Sequence, residues 1–558
     1  MGTYGIDLGT TYSCIARLDR NGNPEVIRND DDGSDTLASV VFFETPDNVV
    51  VGQNAKEMIE SDGDRVVQYV KREMAKDEPR QYEFFGKTYS PADISCLILK
   101  RLKAIVEQQG DTVDDVVITC PARFSFPARI LTKQAGINAG FNVLNIINEP
   151  TAAALSYCSR QFKEEKTILV YDLGGGTFDV TVVKMHLEEN DQKQEVHKIK
   201  VIASRGNDQL GGVDWDDRLF DHVVKVCCDD NGIERQDLDP ETLQLIRSRV
   251  ETAKKKLSQV ENTNIRVSIK GQQTRVDISR ESFESMTSDL VYKTMTYVNA
   301  VLEELGNLEI DTVLLVGGST YMPMIRKAVE DKFPGKVQIE EPNCAVAKGA
   351  AICASMLVDE VDPDPDPEPE TKSESESNDT PDIQNSGETK PRRTASLTKE
   401  KIVIGDITSC SFGPGVLNEQ REFVVDNIIK LGEEMPCSVK KEYTIPEDNM
   451  ECVFIHIFED MSKDDHVIPC VNQYGEEQES HSEDQVKLLG TMNMFLPKNT
   501  RKGTPVEVTF TIDASGIYVS AVNLNDPTNI VDTKIDYAFD IGTGKSPAAA
   551  LSVNADIQ

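Results

Sequence analysis

A short pattern that occurs twice constrains the fold of this 558-residue chain more than any other feature. Residues 4–18, YGIDLGTTYSCIARL, and residues 169–183, LVYDLGGGTFDVTVV, share the same order: an apolar strand, Asp-Leu-Gly, a turn of Gly and Thr, and a second strand. Glycine in a strand interior costs entropy and packing, so it is kept where the backbone must be bare. Each copy therefore predicts a β-hairpin whose tip carries no bulky side chain.

Two such tips suit phosphate binding, because consecutive backbone N–H groups without side chains can converge on one anion. The hydroxyl groups of Thr10, Thr11 and Thr177 add hydrogen-bond donors. Asp7 and Asp172 face the same anion from the strand ends, which makes sense only with a divalent cation between them, and Mg²⁺ prefers such oxygen ligands. One glycine-rich tip is common in hairpins, whereas two tips led by Asp-Leu-Gly favour a nucleotide clamp.

A third glycine pair lies in LLVGGSTYMPMI, residues 314–325, between a predicted buried strand and a helix that we expect to begin near Pro323. Backbone amides at a helix N-terminus suit a phosphate or a ribose. Taken alone, the segment fits an ordinary tight turn equally well. The helix predicted for residues 243–258 carries a charged face beside its buried stripe, and such a face is usually only solvated.

Strand and helix patterns alternate up to about residue 358, with buried strands predicted at 116–119, 167–173 and 312–318. This alternation predicts an α/β domain whose helices cover the faces of a sheet. Residues 359–390 then hold twelve acidic residues against two lysines. Because such a segment has almost nothing to bury, it predicts a disordered acidic spacer.

Beyond about residue 400 the pattern changes to short β-rich segments separated by turn signals, as in TPVEVTFTIDASGIYVSAV, residues 504–522. Such segments predict an antiparallel sandwich. The apolar, β-prone segment KIVIGDITSCSFG, residues 401–413, precedes them. It can dock as an added strand on the first domain, or it can simply be the first strand of the sandwich, and both interpretations stay open.

Four signatures together resemble the DnaK-type heat-shock chaperones, the seventy-kilodalton heat-shock protein family: GIDLGTTYS, IINEPTAAAL, VYDLGGGTFDV and LLVGGSTYMPMI. The resemblance implies an actin-like α/β ATPase domain, made of two lobes with duplicated ribonuclease-H-like cores, followed by an antiparallel β-sandwich peptide-binding domain. Because nothing after residue 540 has helical periodicity, we expect the helical lid of the family to be missing. The expected organisation is an ATPase domain at 1–358, a disordered acidic spacer at 359–400, an apolar linker at 401–407, a sandwich at 408–540 and a flexible tail at 541–558.

The resemblance also implies roles for individual residues. Lys71 approaches the γ-phosphate, although without the resemblance it would be interpreted as a solvated surface lysine. Glu149, Thr177 and Asp179 position the attacking water, and Asp172 completes the catalytic set. Asp7 and Asp172 bind Mg²⁺, mostly through water. The nucleotide-binding set implied by the resemblance is Asp7, Gly9, Thr10, Thr11, Tyr12, Gly174, Gly175, Gly176, Thr177, Gly211, Gly212, Glu251, Lys254, Lys255, Ser258, Gly317, Gly318, Ser319, Tyr321 and Asn343.

This sequence departs from the family at several of these positions. Lys255 and Tyr321 stand where the family usually holds adenine between two arginines, and a lysine gives a poorer planar surface than an arginine. Asn343 stands where the family commonly has aspartate. In the second domain, the positions that match the lining of the peptide cleft are Leu417, Tyr443, Val453 and Ile455. Without a lid we expect fast exchange of bound peptide and weak affinity.

The expected function is that of an ATP-dependent chaperone that hydrolyses ATP slowly and thereby controls the binding of extended apolar segments of unfolded proteins. The alternative is a nucleotide-binding regulator or scaffold with little hydrolysis and one dedicated protein partner. The implied cofactors are ATP or ADP and Mg²⁺, and the implied partners are unfolded clients, a J-domain co-chaperone and a nucleotide exchange factor.

The composition of the chain restricts the classes of partner and the cellular location that we expect. The net charge of −36 argues against a nucleic-acid partner. No apolar run reaches the roughly 18 residues that cross a bilayer, so no membrane partner is expected. The twelve cysteines are scattered and no secretory signal is visible, which predicts reduced thiols and a cytoplasmic location. We expect a monomer.

Overall fold

The computed structural model of the chain describes residues 2–29, 32–76, 78–159, 165–189, 195–269, 271–306, 308–339, 341–359, 401–408, 410–417, 423–460, 466–467, 486–513, 516–535 and 556–557. The predicted acidic spacer, apart from Asp359, and most of the predicted tail lie outside these residues. Asp359 is the last residue of a helix.

Strands and helices alternate in the N-terminal part of the chain, residues 2–359, which matches the predicted mixed α/β class. Residues 2–158 form β1 (Gly2–Asp7), β2 (Tyr12–Leu18), β3 (Pro24–Val26), β4 (Leu37–Ala38), β5 (Val41–Phe43), β6 (Asn48–Val51), α1 (Gln53–Glu57), α2 (Ile59–Asp62), β7 (Val66–Val67), α3 (Val70–Met74), β8 (Tyr82–Phe84), β9 (Lys87–Tyr89), α4 (Pro91–Gln108), β10 (Val113–Cys120), α5 (Phe126–Asn138), β11 (Asn142–Asn148) and α6 (Glu149–Cys158). Residues 166–359 form β12 (Lys166–Leu173), β13 (Phe178–Glu189), β14 (Glu195–Asn207), α7 (Gly212–Asn231), α8 (Pro240–Leu257), β15 (Asn262–Ile269), β16 (Gln272–Ser279), α9 (Arg280–Met286), α10 (Ser288–Leu305), β17 (Thr312–Val316), α11 (Pro323–Lys332), β18 (Val337–Ile339) and α12 (Ala345–Asp359).

Two sheets of this part have the same strand order. The first runs β11-β10-β1-β2-β3, and the second runs β18-β17-β12-β13-β14 before it continues into the C-terminal part. In each sheet an antiparallel hairpin, β1–β2 or β12–β13, adds parallel strands on the side of its first strand. The repeated Asp-Leu-Gly pattern therefore occupies the same place in both sheets, at the tip of the central hairpin.

Helices α6 and α12 pack against each other between the two sheets and share a hydrophobic cluster with β12 and β17. The two helices approach closely because the contact is built from small residues. A Cβ atom on Gly349 of α12 would collide with the carbonyl group of Ala152 of α6. The predicted helix at 243–258 is also present as part of α8, and its predicted stripe is buried at Ile246, Val250 and Leu257.

The C-terminal part is composed of strands. They are β19 (Lys401–Ile407), β20 (Ser411–Leu417), β21 (Phe423–Val425), β22 (Glu434–Met435), β23 (Cys437–Thr444), β24 (Cys452–Asp460), β25 (His466–Val467), β26 (Val486–Phe495), β27 (Pro505–Asp513), β28 (Gly516–Asn523), β29 (Ile530–Ile535) and β30 (Asp556–Ile557). Strand β30 pairs with β6 of the N-terminal part. Among the described residues, no helix has both the length and the apolar character needed to cross a membrane.

Strand β19 resolves the two interpretations of the apolar segment. Residues 401–405 pair in parallel with β14, so that the segment extends the second sheet of the N-terminal part. Its end, residues 406–407, pairs with β22. The segment is therefore an added strand on the N-terminal sheet rather than a strand of either C-terminal sheet.

Residues 408–535, the C-terminal unit, contain two antiparallel sheets. Their strand orders are β25-β21-β20-β24-β26 and β23-β27-β28-β29. Alternate residues of both sheets point into one hydrophobic cluster, which includes Phe412, Ile457, Met494, Phe510 and Val519. The two sheets thus bury a common core, as expected for strands that alternate apolar and polar residues.

Candidate nucleotide-binding and catalytic site

The two Asp-Leu-Gly hairpin tips lie against each other. A Cβ atom on Gly176 would lie 2.5 Å from Cγ2 of Thr10, and one on Gly175 would overlap the side chain of Thr11. Only glycine leaves room for this approach, because any larger residue would push the tips apart. The structure therefore brings together the two turns that the sequence pattern paired.

Two further glycine segments converge on the second tip. The N–H group of Gly212, at the start of α7, donates to the carbonyl oxygen of Gly174 at 3.0 Å. The hydroxyl group of Ser319 donates to the same oxygen at 2.8 Å. Gly317 has a φ of 83° and sits against the backbone of Leu173, where a side chain would collide. The third glycine pair thus belongs to the site and is not an isolated turn.

Lys71 lies inside the site and not on the surface. It is 3% exposed, and its ammonium group pairs with the carboxylate of Glu149, the first residue of α6. Burial lowers the pKa of Lys71, but the charges of Glu149 and Asp7 outweigh this effect and raise it above its usual value. The solvated interpretation of Lys71 is therefore wrong, and the side chain carries a full positive charge at neutral pH.

Three more carboxyl groups surround Lys71. Asp172 and Asp179 lie directly opposite each other on β12 and β13. Burial raises the pKa of Asp7 to about 7 and that of Asp179 to about 7, and it raises the pKa of Asp172 well above its usual value, with the charge of Glu149 as the next cause in each case. These carboxyl groups repel one another, and a cation placed among them would relieve that repulsion.

Two neighbouring groups hold these carboxylates. The hydroxyl group of Thr119 donates to Oδ1 of Asp7 at 3.3 Å, and the N–H group of Ala122 donates to Oδ2 of Asp179 at 3.1 Å. The other oxygen of Asp179, Oδ1, is buried and has no hydrogen-bond partner among the described residues. That oxygen is free to accept a hydrogen bond from a water molecule or a substrate group.

On the side of α8, one carboxylate joins two lysines. Glu251 pairs with Lys56 at 2.6 Å and with Lys255 at 2.8 Å. Burial raises the pKa of Glu251, but the two lysines outweigh it and lower the value to about 2. The ammonium group of Lys255 also donates to the hydroxyl oxygen of Tyr12 at 2.7 Å. This cluster links the first hairpin to α8 across the cleft.

The remaining predicted residues line the same region or its margin. The ammonium group of Lys254 pairs with Asp216 at 2.7 Å and donates to the carbonyl oxygen of Gly212 at 2.7 Å. Asn343 lies beside Gly318, and Tyr321 is 45% exposed. Ser258 is the C-cap of α8, one turn beyond Lys255, at the margin of the set.

Sequence reasoning missed several residues of the site. Arg72 donates to the carbonyl oxygen of Gly176 at 2.9 Å and pairs with Asp214 at 2.5 Å, so it ties α3 to the second tip. The sequence feature that could have indicated Arg72 is its position next to Lys71 in the chain. Lys56 and Asp216 gave no such signal, because each lies in a segment without a recognisable pattern.

The comparison with known proteins decides the family. The model of the family described as Hsp70 protein matches residues 3–364. The chain belongs to the Hsp70 family. The chaperone protein DnaK of Thermosipho melanesiensis (strain DSM 12029 / CIP 104789 / BI429) is 35% identical to this Hsp70-family chain over 534 residues, which make up 93% of the chain and 78% of that relative. The predicted resemblance is thereby confirmed.

Family membership settles the class of activity. An Hsp70 protein is an ATP-dependent chaperone, so this chain binds nucleotide and hydrolyses ATP, and its N-terminal part is an actin-like ATPase domain. It acts on unfolded polypeptide clients. The alternative of a regulator with little hydrolysis finds no support in either match.

The residues predicted to line a peptide cleft lie on β20, β23 and β24 of the C-terminal unit. Ile455 is buried in the core of the C-terminal unit, and Tyr443 and Val453 pack against that core. The hydroxyl group of Tyr443 donates to Asp426 at 2.7 Å. Leu417 is the last residue of β20 and is 52% exposed.

Proposed function

We propose that ATP is hydrolysed between the two hairpin tips by the residues that surround Lys71. The observation that carries this proposal is the contact between two tips without bulky side chains, beside three buried carboxyl groups, one partly buried carboxyl group and one buried lysine. The backbone N–H groups of the tips and the hydroxyl groups of Thr10, Thr11 and Thr177 hold the phosphates. Lys71 stabilises the charge that develops on the γ-phosphoryl group during its transfer to water.

The carboxylates divide into two roles in this proposal. Asp7 and Asp172 fit a hydrated Mg²⁺, because Asp172 is buried, Asp7 is partly buried, the two repel each other, and both offer the oxygen ligands that this ion prefers. When bound, Mg²⁺ supplies positive charge to the phosphates. Glu149 and Asp179 orient the attacking water with Thr177, and the unpartnered Oδ1 of Asp179 accepts a hydrogen bond from it.

The nucleoside lies on the side of α8. Glu251, Lys254, Lys255 and Ser258 from that helix, together with Gly318, Tyr321 and Asn343, form its binding surface. The half-exposed ring of Tyr321 stacks on the base. Because Lys255 is held by Glu251 and Tyr12, it contributes less to the base than an arginine plane would.

We further propose that residues 408–540 are a β-sandwich that binds extended apolar segments of clients near Leu417, Tyr443, Val453 and Ile455. The exposure of Leu417 supports this assignment. In this organisation the ATPase domain covers 1–358 and the linker covers 401–407. In this proposal the protein is a monomer in the cytoplasm, and it works with a J-domain co-chaperone and a nucleotide exchange factor.

Linker docking couples the two activities. Strand β19 extends the ATPase sheet along β14 while its end pairs with β22, so that the same short segment touches both parts of the chain. A change at the nucleotide site that favours or disfavours this pairing changes client affinity through a coupling free energy.

Isothermal titration of ATP with and without Mg²⁺, followed by single-turnover hydrolysis, tests the site. Replacing Thr177 with alanine removes a phosphate ligand, and we expect hydrolysis to fall by about 10²-fold. Thr296→Ala, at an exposed position of α10, is the matched control and leaves the rate unchanged. Equal rates for Thr177→Ala and the unaltered chain would contradict the proposed site.

A further inference from the structure

Two buried cysteines meet at the edge of the nucleotide site. Cys14 lies on β2 and Cys344 immediately precedes α12, and both belong to one small hydrophobic cluster. Their exposed fractions are 2% and 8%. The thiol of Cys14 forms a hydrogen bond with that of Cys344. The two sulfur atoms therefore face each other in the reduced protein, although the cysteines are far apart in the chain.

The packing of α12 on the first sheet keeps the two cysteines together. A Cβ atom on Gly5 of β1 would collide with the backbone of Ala351, so the helix lies directly against the strand. The cluster around the two sulfur atoms is completed by Ala16, Ala347 and Ala351. A disulfide needs Cβ atoms about 3.5–4.5 Å apart, and the close packing of such small side chains favours that distance.

Cys344 is the thiol of the pair that ionises more readily. Its carbonyl oxygen accepts a hydrogen bond from the N–H group of Lys348 at 3.0 Å, so it lies at the N-terminus of α12. A helix N-terminus and a nearby ammonium group both favour a thiolate. The interaction with Cys14 lowers the pKa of Cys344, and so does the charge of Lys348, against burial and two nearby carboxylates. The same interaction, with burial, raises the pKa of Cys14 well above its usual value.

We propose that Cys14 and Cys344 form an oxidation site, at which hydrogen peroxide converts the two thiols into a disulfide that slows nucleotide exchange. The thiolate of Cys344 attacks one peroxide oxygen, which breaks the O–O bond, forms a sulfenic acid and releases hydroxide. The sulfur of Cys14 then attacks the sulfenic sulfur, and its proton leaves with the sulfenic hydroxyl group as water. The two sulfur atoms lose two electrons, and the peroxide takes them up.

The bond joins two parts of the nucleotide site. Cys14 lies opposite Asp7 in the hairpin β1–β2, and Cys344 follows Asn343, which lies beside Gly318. In the function proposed above the nucleotide lies between these parts, and its release requires them to move apart. A disulfide holds β2 to the loop that carries Asn343, so release becomes slower. The effect on exchange rests on that proposed function, whereas formation of the bond does not.

Mass spectrometry of the full chain tests the bond. The reduced chain is treated with hydrogen peroxide, its remaining thiols are blocked with N-ethylmaleimide, and it is digested without a reductant. We expect the peptides of Cys14 and Cys344 to be linked with the loss of two hydrogen atoms, and dithiothreitol to separate them. In Cys14→Ala we expect dimedone to trap the sulfenic acid of Cys344. Cys96→Ala, at a buried cysteine of α4, is the matched control and keeps the link.

The release of a fluorescent ADP analogue in stopped-flow measurements tests the effect on exchange. We expect peroxide to slow release from the unaltered chain and from Cys96→Ala by about threefold or more, because the bond restricts the opening of the site. Dithiothreitol restores the original rate. Cys344→Ala and Cys344→Ser cannot form the bond, so peroxide leaves release from both variants unchanged.

Three results would overturn the proposal. The first is recovery of both cysteines with the N-ethylmaleimide label after treatment with peroxide. The second is a link between the two peptides with unchanged release, and the third is slower release from peroxide-treated Cys344→Ala, since another oxidation would then be responsible. Failure of the reduced chain to bind the ADP analogue would instead contradict the proposed nucleotide site, because the link is measured without nucleotide.

Discussion

Replacing Lys71 with methionine removes the positive charge from a group of buried carboxylates. The side chain is buried and pairs with Glu149, and its charge lowers the pKa values of Asp7, Asp172 and Asp179. Methionine fills a similar volume without a charge, so the change is mainly electrostatic. We expect it to lower both the free energy of unfolding and the rate of ATP hydrolysis.

The expected loss of stability follows from the buried pair. Removing one partner of a buried ion pair costs about 3–5 kcal/mol, because the other charge stays buried without compensation. The loss depends on pH. Asp7 and Asp179 have pKa values raised to about 7, so below that pH they are largely neutral and need little compensation. Without Lys71 both values rise further, so the extra destabilisation accrues as pH rises through 7 and beyond.

The assay is chemical unfolding followed by the fluorescence of Trp215. This residue is the single tryptophan of the chain and is fully buried in the core of the second sheet of the ATPase domain. Unfolding curves at pH 5.5 and pH 8 give the difference between Lys71→Met and the unaltered chain. Lys327→Met, at an exposed position of α11, is the control.

Hydrolysis by Lys71→Met should fall by about 10²–10³-fold, the effect of losing one group that stabilises the transition state.

An equal loss of stability at both pH values would refute the electrostatic reasoning, because a simple packing defect does not depend on pH. An unchanged rate of hydrolysis would refute the role of Lys71 in phosphoryl transfer. The stability and rate measurements are independent, so one part of the reasoning can fail while the other stands.

Two further perturbations probe the cleft. Gly175→Ala places a methyl group where the side chain of Thr11 lies, so the tips separate and ATP binding weakens about tenfold or more in a titration, whereas Gly490→Ala, in open space, has no effect. Glu251→Gln removes the charge that links two lysines across the cleft, so we expect faster release of a fluorescent ADP analogue in stopped-flow measurements. Glu281→Gln, on the exposed face of α9, should leave release unchanged, and slower release from Glu251→Gln would contradict the proposed link.

The hairpin tips could be predicted from the sequence because all of their determinants are local. Three glycines between two strands fix a bare turn, and the repeat of Asp-Leu-Gly pairs one turn with the other. The β-prone composition of the apolar segment at 401–407 predicted a strand, but it left open whether that strand docks on the first domain or begins the sandwich. The strand with which it pairs, β14, could not be predicted, because nothing in the segment specifies which edge of which sheet it joins.

Contacts between distant residues could not be predicted. Lys71 lies in QYVKREM, a segment whose pattern also fits an exposed turn of helix, and only the packed fold shows that it is buried beside Glu149. Phe126 and Glu459 are 333 residues apart, and each looks ordinary in its own segment. Burial of a charged side chain depends on what the whole fold places around it.

The burial of each contact indicates which one carries coupling between the two parts of the chain. Lys200 pairs with Glu434 at 2.5 Å beside the linker, but their side chains are 36% and 41% exposed. An exposed ion pair of this kind contributes about 0–1 kcal/mol, because water and salt screen it. In the contact of Glu459 with Phe126, Glu459 is 2% exposed and Phe126 is partly buried, and a buried polar group left without its partner costs about 1–3 kcal/mol. This contact therefore contributes more to the association of the two parts of the chain than the exposed ion pair does.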